Sequence, residues 1–310
     1  MTPSRDPLAG ISVLERGWLS SNNVVLHGRG DGDGAVLVDS GHVLHAPQTL
    51  ALVHTAVRGE ALTGIVNTHL HSDHCGGNAT LARELGCRIT IPPGLWAAAR
   101  AWDEAALSYA PTGQLCERFV PDAMLAPGQA LHVGTQEWQA LAAPGHDPHA
   151  IILFNAATGV LISADALWAN GFGVVFPELE GNPGFDDTAR TLDLIESLDA
   201  RWVIPGHGAP FDDVPAALQR ARGRLAHWRT DPARHARHAL KALLKYHLME
   251  VRRQPWPALR DWLAAATLYG VVWQRLGRPA GSLEDFARGL VAELAASGAL
   301  ALRDDLVCNL

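Results

Sequence analysis

Little in this chain of 310 residues points to an oxidising or membranous setting. Its four cysteines, Cys75, Cys87, Cys116 and Cys308, are widely spread and form no CxxC pair. A disulfide framework is therefore not expected, and Cys75 reads as a small buried residue. No uninterrupted apolar run approaches the roughly 20 residues that a membrane span requires. The first residues lack the apolar core of a secretory signal, so a cytoplasmic location is the expectation. Lysine occurs twice, at Lys241 and Lys245, and the formal net charge is −7. That balance disfavours a whole-protein role as a nucleic-acid binder. Apolar content of 48% suffices for a sizeable core in one large domain or two smaller ones.

Histidine beside aspartate is what the chain does have. His69, His71, Asp73 and His74 fall within six residues, directly after an apolar run over 64–67 that reads as a buried strand. Imidazole and carboxylate are the ligands zinc takes outside thiolate sites. In a turn leaving a strand end, His69 and His71 can point to one side and Asp73 and His74 to another. That arrangement suits two adjacent metals better than one. Further candidates follow in order. His146 comes after a strand-like stretch over 138–143, Asp165 ends another over 159–164, and His207 follows a third over 202–204. Each sits where a hydrophobic strand gives way to a loop, which holds the side chain while leaving room for a substrate.

The order His-x-His-x-Asp-His, Gly-His, Asp, Gly-His resembles the metallo-β-lactamase superfamily over roughly residues 11–230. The resemblance implies an α/β (α+β) fold, an αββα sandwich. It implies that His69, His71 and His146 hold one metal, that Asp73, His74 and His207 hold a second, and that Asp165 bridges them. Asp73 separates the chain from the flavodiiron branch, whose ligand pattern is altered. The implied cofactors are two divalent ions, zinc first, with iron or manganese compatible. A hydroxide bridging them would attack a carbonyl carbon, with Asp73 or Asp165 moving the proton.

Three activities are compatible. The first is hydrolysis of a carboxylic thioester, ester or lactone, similar to glyoxalase II. The second is phosphodiester cleavage of RNA, as in related endoribonucleases. The third is a mononuclear iron sulfur dioxygenase that uses part of the ligand set. β-Lactam hydrolysis is disfavoured, since the antibiotic's targets lie outside the cytoplasm. A small-molecule ester or thioester is the expected partner, RNA the second candidate, and no membrane is expected.

Around these residues the chain reads as follows. Strands are expected at 11–18, 23–27 and 35–38, with a glycine-rich turn over 29–34 whose RGD triplet is taken as chance. Asp39 is either a turn residue or, by the resemblance, a carboxylate orienting a ligating imidazole. His42 and His45 are expected in solvent. Gly76-Gly77 would let the backbone pass close to the metal site. Residues 95–109 read as a helix and 111–127 as a loop that could form a lid, while Trp96 and Trp102 pack on the sandwich. Ala150 stands where many relatives carry a further histidine, and His149 is a candidate assistant to the site. Residues 172–184 read as a pocket-lining loop, with Glu178 and Glu180 in solvent.

Residues 231–310 read as a second unit. Helices are expected over 233–251, 257–276 and 283–296, the last capped by Ser282, then a hairpin over 299–310. Three helices and a hairpin resemble a winged helix. The third helix offers only Arg288 against Glu284, Asp285 and Glu293, too few cations for groove reading. The unit is instead expected to cover the active site or to mediate association, a homodimer included. His235 and His238 read as surface residues. From 218 to 260 there are eleven Lys plus Arg against two acids, which reads first as a solvated face and second as a site for an anionic ligand.

Overall fold

The computed structural model describes residues 6–29 and 33–310; Gly30 and Asp31 of the RGD triplet lie outside them. Two sheets form the centre. The first has six strands, β1 (Ile11–Leu14), β2 (Asn23–Leu26), β3 (Ala35–Val38), β4 (Leu62–Val66), β5 (Arg88–Ile91) and β6 (Ala123–Met124), in that spatial order. The second has five, β7 (Ala130–Val133), β8 (Gln136–Ala142), β9 (Ile151–Asn155), β10 (Val160–Ala164) and β11 (Trp202–Pro205), in the order β11-β10-β9-β8-β7.

Alternation along the strands decides which layer each residue joins. Val24, Leu26, Val38 and Val66 of the first sheet meet Trp138, Ile151, Leu153, Val160 and Ile162 of the second between the sheets. Their neighbours Val25, Leu37 and Ile65 face the other way. They pack under α1 (Ala46–Ala56), α3 (Asn78–Leu85) and α4 (Trp96–Ala101), the short α2 (Ser72–Cys75) lying between the first two. Ile152, Phe154, Leu161 and Val203 likewise turn outward. After α5 (Tyr109–Thr112) and α6 (Phe176–Glu180), they are covered by α7 (Gly184–Ser197) and α8 (Val214–Thr230). The result is four layers, αββα. Strands covered on both faces read as unbroken apolar runs, as IILF in β9 does. Trp138 is fully buried between the sheets, and truncating such a residue to alanine costs about 3–5 kcal/mol.

The remaining chain forms α9 (Pro232–Val251), β12 (Arg253–Pro255), α10 (Trp256–Ala265), α11 (Thr267–Arg275), α12 (Leu283–Ala296), β13 (Leu300–Arg303) and β14 (Leu306–Asn309). The three strands form a small antiparallel sheet in the order β12-β14-β13. These elements share their own apolar cluster, which Leu179 of α6 joins.

Several expectations need correction. The helix expected over 95–109 stops at Ala101, because Trp102 takes a left-handed backbone (φ 58°). The helix expected over 257–276 breaks at Ala266, whose ψ of 83° is not helical, giving α10 and α11. The expected loop over 172–184 contains α6, and Glu178 accepts a hydrogen bond from the Phe185 N–H (2.8 Å). Gly76 and Gly77 approach the 40–43 backbone rather than the metal residues: a Cβ on Gly77 would lie 2.4 Å from the Ser40 carbonyl oxygen. His42 is not in solvent. It is fully buried and its Nε2 lies 3.0 Å from Glu250 Oε1 of α9. His45 is half-buried against Ser20 Oγ.

His235 is also buried, against Trp228 and Phe185, and accepts a hydrogen bond from the Val175 N–H at 3.2 Å. Burial first, and His238 second, hold its pKa down at about 4. An unfolded histidine binds its proton below about 6.5. The stability tied to the neutral imidazole is therefore complete above about pH 6.5 and is lost as pH falls towards 4, by about 3 kcal/mol at most. His235→Gln keeps an acceptor but does not titrate. Denaturant unfolding between about pH 7 and pH 4.5 is expected to show a smaller loss for this variant; a parallel loss would place the acid sensitivity elsewhere.

Candidate metal centre

All seven residues singled out from the sequence converge at one end of the sandwich. His69 and His71 lie in the loop after β4, and Asp73 and His74 lie on α2. His146 follows β8, Asp165 directly follows β10, and His207 follows β11. Donor atoms of His69, His71 and His146 lie within 4.8 Å of one another, as do those of Asp73, His74, Asp165 and His207. Asp165 spans the two groups. Its Oδ2 is 3.3 Å from His146 Nε2 and its Oδ1 is 3.4 Å from His74 Nε2. His207 Nε2 is 3.1 Å from Asp73 Oδ2.

Hydrogen bonds on the outward nitrogens fix which way each ring aims its lone pair. His146 Nδ1 donates to the Val174 carbonyl (2.6 Å), so its Nε2 is bare. The Thr68 hydroxyl donates to Asp39 Oδ2 (2.8 Å) and therefore accepts from His69 Nδ1 (3.1 Å), leaving His69 Nε2 bare. Between these two lone pairs sits His71 Nδ1, 3.0 Å from His69 Nε2 and 2.7 Å from His146 Nε2. One ring nitrogen can donate to only one of them. His74 Nδ1 is held by Asp39 Oδ2 at 2.7 Å, while its Nε2 is buried without a hydrogen-bond partner. Tetrahedral zinc with Zn–N of about 2.05 Å sets its nitrogens about 3.3 Å apart, close to the spacing here. The donor set fits two divalent cations.

The electrostatics agree. Burial lowers His69 well below the ordinary histidine range and His71 to about 4. Burial also opposes charge on the carboxylates and on His74. Even so, His74 and His207 hold Asp73 at about 2, and His74, His207 and His146 hold Asp165 well down. Asp39, Asp73 and Asp165 push His74 well up against its burial. Three carboxylates thus converge where positive charge is stabilised.

Asp39 therefore orients the His74 imidazole. It also accepts from the Thr68 N–H (2.9 Å) and takes a left-handed backbone (φ 58°). Two residues that no sequence motif marks also serve the site. Asp147 is buried with Oδ2 3.9 Å from His71 Nε2. The Asn22 side chain donates to the carbonyls of Pro205 (2.9 Å) and Gly208 (2.7 Å) and so clamps the His207 loop. Trp18 stacks on His207 at 5.3 Å and 13°. Gly206 fits because a Cβ there would lie 2.2 Å from Asp165 Oδ1. His149 is exposed, packs on Gly94 and stays outside the site. Cys75 is buried, 3.1 Å from the Tyr109 hydroxyl, and burial raises its thiol pKa.

A cavity of about 690 Å³ opens beside these residues, a size typical of small-molecule sites. Aromatic side chains, Trp18, Trp168, Phe172, Phe176 and Phe211, supply much of its wall. The expected lid over 111–127 contributes only Gln114. The wall opposite comes instead from α9, through His238, Ala242, Leu243 and Tyr246.

The family model of the metallo-β-lactamase superfamily matches residues 16–207. The chain belongs to that superfamily. A hydroxyacylglutathione hydrolase of Nitrobacter winogradskyi is 31% identical over 135 residues, 43% of this chain and 45% of that protein. Metallo-β-lactamase domain-containing protein 1 of Mus musculus is 30% identical over 218 residues, 64% of this chain and 73% of that one. The first curated relatives are thus matched over less than half of their own length. A crystal structure of a metallo-β-lactamase family protein from Thermus thermophilus superposes with a TM-score of 0.58 at 23% identity, covering 98% of this chain and 100% of that one.

Asp39→Asn keeps the shape but weakens the hold on His74 Nδ1. Loss of such a supporting contact typically costs about 10–100-fold in metal affinity. Dialysis against a graded chelator followed by elemental analysis is expected to show that loss; wild-type retention would remove Asp39 from the orienting role.

Proposed function

We propose that this protein hydrolyses a carboxylic thioester, ester or lactone. The carrying observation is a pair of His/Asp clusters sharing Asp165 and opening on a largely aromatic cavity. His69, His71 and His146 would hold one cation, Asp73, His74 and His207 the other, and Asp165 both; zinc suits this donor set. Bound cations supply Lewis acidity and bring the pKa of water from the bulk value to about 7.

The chain's own groups do the rest. Asp73 is ionised and lines the cavity, so it can accept the proton that water loses as it attacks the scissile carbonyl carbon. The C–S or C–O bond then breaks, giving a carboxylic acid and a thiol or alcohol. Trp18, Trp168 and Phe176 exclude bulk water around that carbonyl and offer apolar contact. The name of the hydroxyacylglutathione hydrolases, at about 30% identity, supports a thioester. Completeness of both clusters favours two metals over the single iron of a dioxygenase.

RNA cleavage ranks second. On the basic segment, Arg222 pairs with Asp193 and Glu196, Arg229 with Asp186, and Arg237 and Lys241 with Glu293. Much of that charge is already spent within the fold. The same reading divides the chain into a catalytic domain over 1–230 and a winged-helix-like unit over 231–310. The succession α9, β12, helices, β13, β14 and the sheet order β12-β14-β13 support it. Among the described residues no helix is long and apolar enough to cross a membrane. Work in the cytoplasm stays the expected setting.

Metal-loaded protein is expected to turn over members of a thioester and ester panel and to leave single-stranded RNA intact. His71→Ala and Asp165→Ala are each expected to abolish turnover and to reduce bound metal. RNA cleavage without ester turnover would reverse the ranking, and full activity of either variant would refute the ligand assignment.

A further inference from the structure

The hydrolytic reading leaves one cation on the cavity wall without a task. Arg224, on α8, is half-buried there. Among the described residues it makes no ion pair, although Arg222 and Arg229 on the same helix do. Its one hydrogen bond is a long one, Nη1 to the Phe172 carbonyl at 3.5 Å. A guanidinium carries five N–H donors, so most of its capacity is unspent. Its place is nevertheless built. The guanidinium lies 5.7 Å from the Trp228 ring centroid and packs on Gly171, where an added Cβ would come within 2.6 Å of it. Burial lowers its pKa, a cost that an anion beside it would offset.

His238 of α9 lines the same cavity and packs on the same Trp228 ring, centroids 5.6 Å apart. Neither side chain hydrogen-bonds to a metal-centre residue. The same cavity is also lined by Phe172, Val174, Ala242 and Leu243. A ligand that satisfies both ends needs a carbonyl at one end, an apolar body, and a negative group at the other.

We infer that Arg224, with His238 beside it, binds a carboxylate or phosphate borne by an apolar substrate whose scissile carbonyl reaches the His/Asp clusters. This rests on the hydrolase reading of the same cavity. Arginine suits the task because its planar fork meets both anions with paired, charge-assisted hydrogen bonds.

Two esters matched in length test it with the full metal-loaded chain: 4-nitrophenyl hexanoate and the mono-4-nitrophenyl ester of hexanedioic acid. Arg224→Met is expected to lower kcat/KM for the anionic ester about 10-fold or more, mainly through KM, as befits a lost charge-assisted hydrogen bond. The neutral ester should change by less than about twofold, and Arg224→Lys should recover part of the loss. Equal losses on both esters, or none on either, would overturn the assignment.

A second measurement needs no turnover. Tryptophan fluorescence follows titration with nonanoate, nonyl phosphate and nonanol, since Trp228 lies against the guanidinium. Arg224→Met should weaken binding of an acid and leave nonanol unchanged; the tighter of the two acids names the anion. Undiminished acid binding in the variant would put the anion on the metals and reject the site. Arg224-dependent binding without hydrolysis of any ester would instead sink the hydrolase reading and leave the anion site standing.

Discussion

Two bare imidazole lone pairs converge on a single ring nitrogen that can satisfy only one of them, and that constraint organises this protein. His146 gives its Nδ1 proton to Val174 and His69 gives its own to Thr68. Both then present Nε2 lone pairs to His71 Nδ1 at 2.7–3.0 Å. The second cluster is under the same tension in another form. Asp73 and Asp165 face His74 and His207 with little water to spread their charge, and buried charge is tolerated only when paired. Divalent cations resolve both conditions at once, which ties metal binding to the stability of the strand ends themselves.

The scaffold meets this demand by taking orienting groups from both sheets. Asp39 ends β3 of the first sheet and holds His74 and Thr68. Val174 and Gly173, beyond β10 of the second sheet, hold His146 and the Asp165 carbonyl. Asn22, before β2, ties the His207 loop across the sandwich. Two non-glycine residues with left-handed φ, Asp39 and Ala164, stand at strand ends next to the centre. Such conformations persist only where the surroundings over-determine them.

The convergence of the seven His and Asp residues could be read from sequence because each follows an apolar run and four of the seven crowd into one turn. The layers were legible for the same reason, since two-sided burial leaves unbroken runs of Val, Ile and Leu. What escaped is contact across long sequence separation. His42 looked like a loop histidine because its partner, Glu250, is 208 residues away. His235 looked like a helix-surface residue because its acceptor role is written in the backbone of Val175. Asp147 was hidden by standing next to the obvious ligand. Trp96 and Trp102 do pack on the apolar layer under the first sheet, as their sequence suggests, but the stretch 111–127 reaches the cavity only through Gln114. Helix ends followed local chemistry where a cap was present, as at Ser282, whose hydroxyl accepts from the Asp285 N–H. They failed where only a backbone angle marked the stop, as at Trp102.

Chemistry and selectivity are therefore built from different parts of the chain. The His/Asp clusters rest wholly on the αββα layers, and the strand ends fix them. The cavity beside them is closed by α9, which is joined to the sandwich by the buried His42–Glu250 pair, by Tyr246 near Ser72 and Leu19, and by His235 against Val175. A buried polar contact stabilises little in itself but is costly to leave unmade, so it fixes where the helix sits more than how tightly. The wall α9 contributes is then held in register with the metal-facing residues although it shares no strand with them. Changes in its cavity-facing side chains can alter what the cavity accepts while leaving the donor atoms in place. A cluster of donor atoms fixed by strand ends can in this way stand beside a cavity whose shape is set by one exchangeable wall.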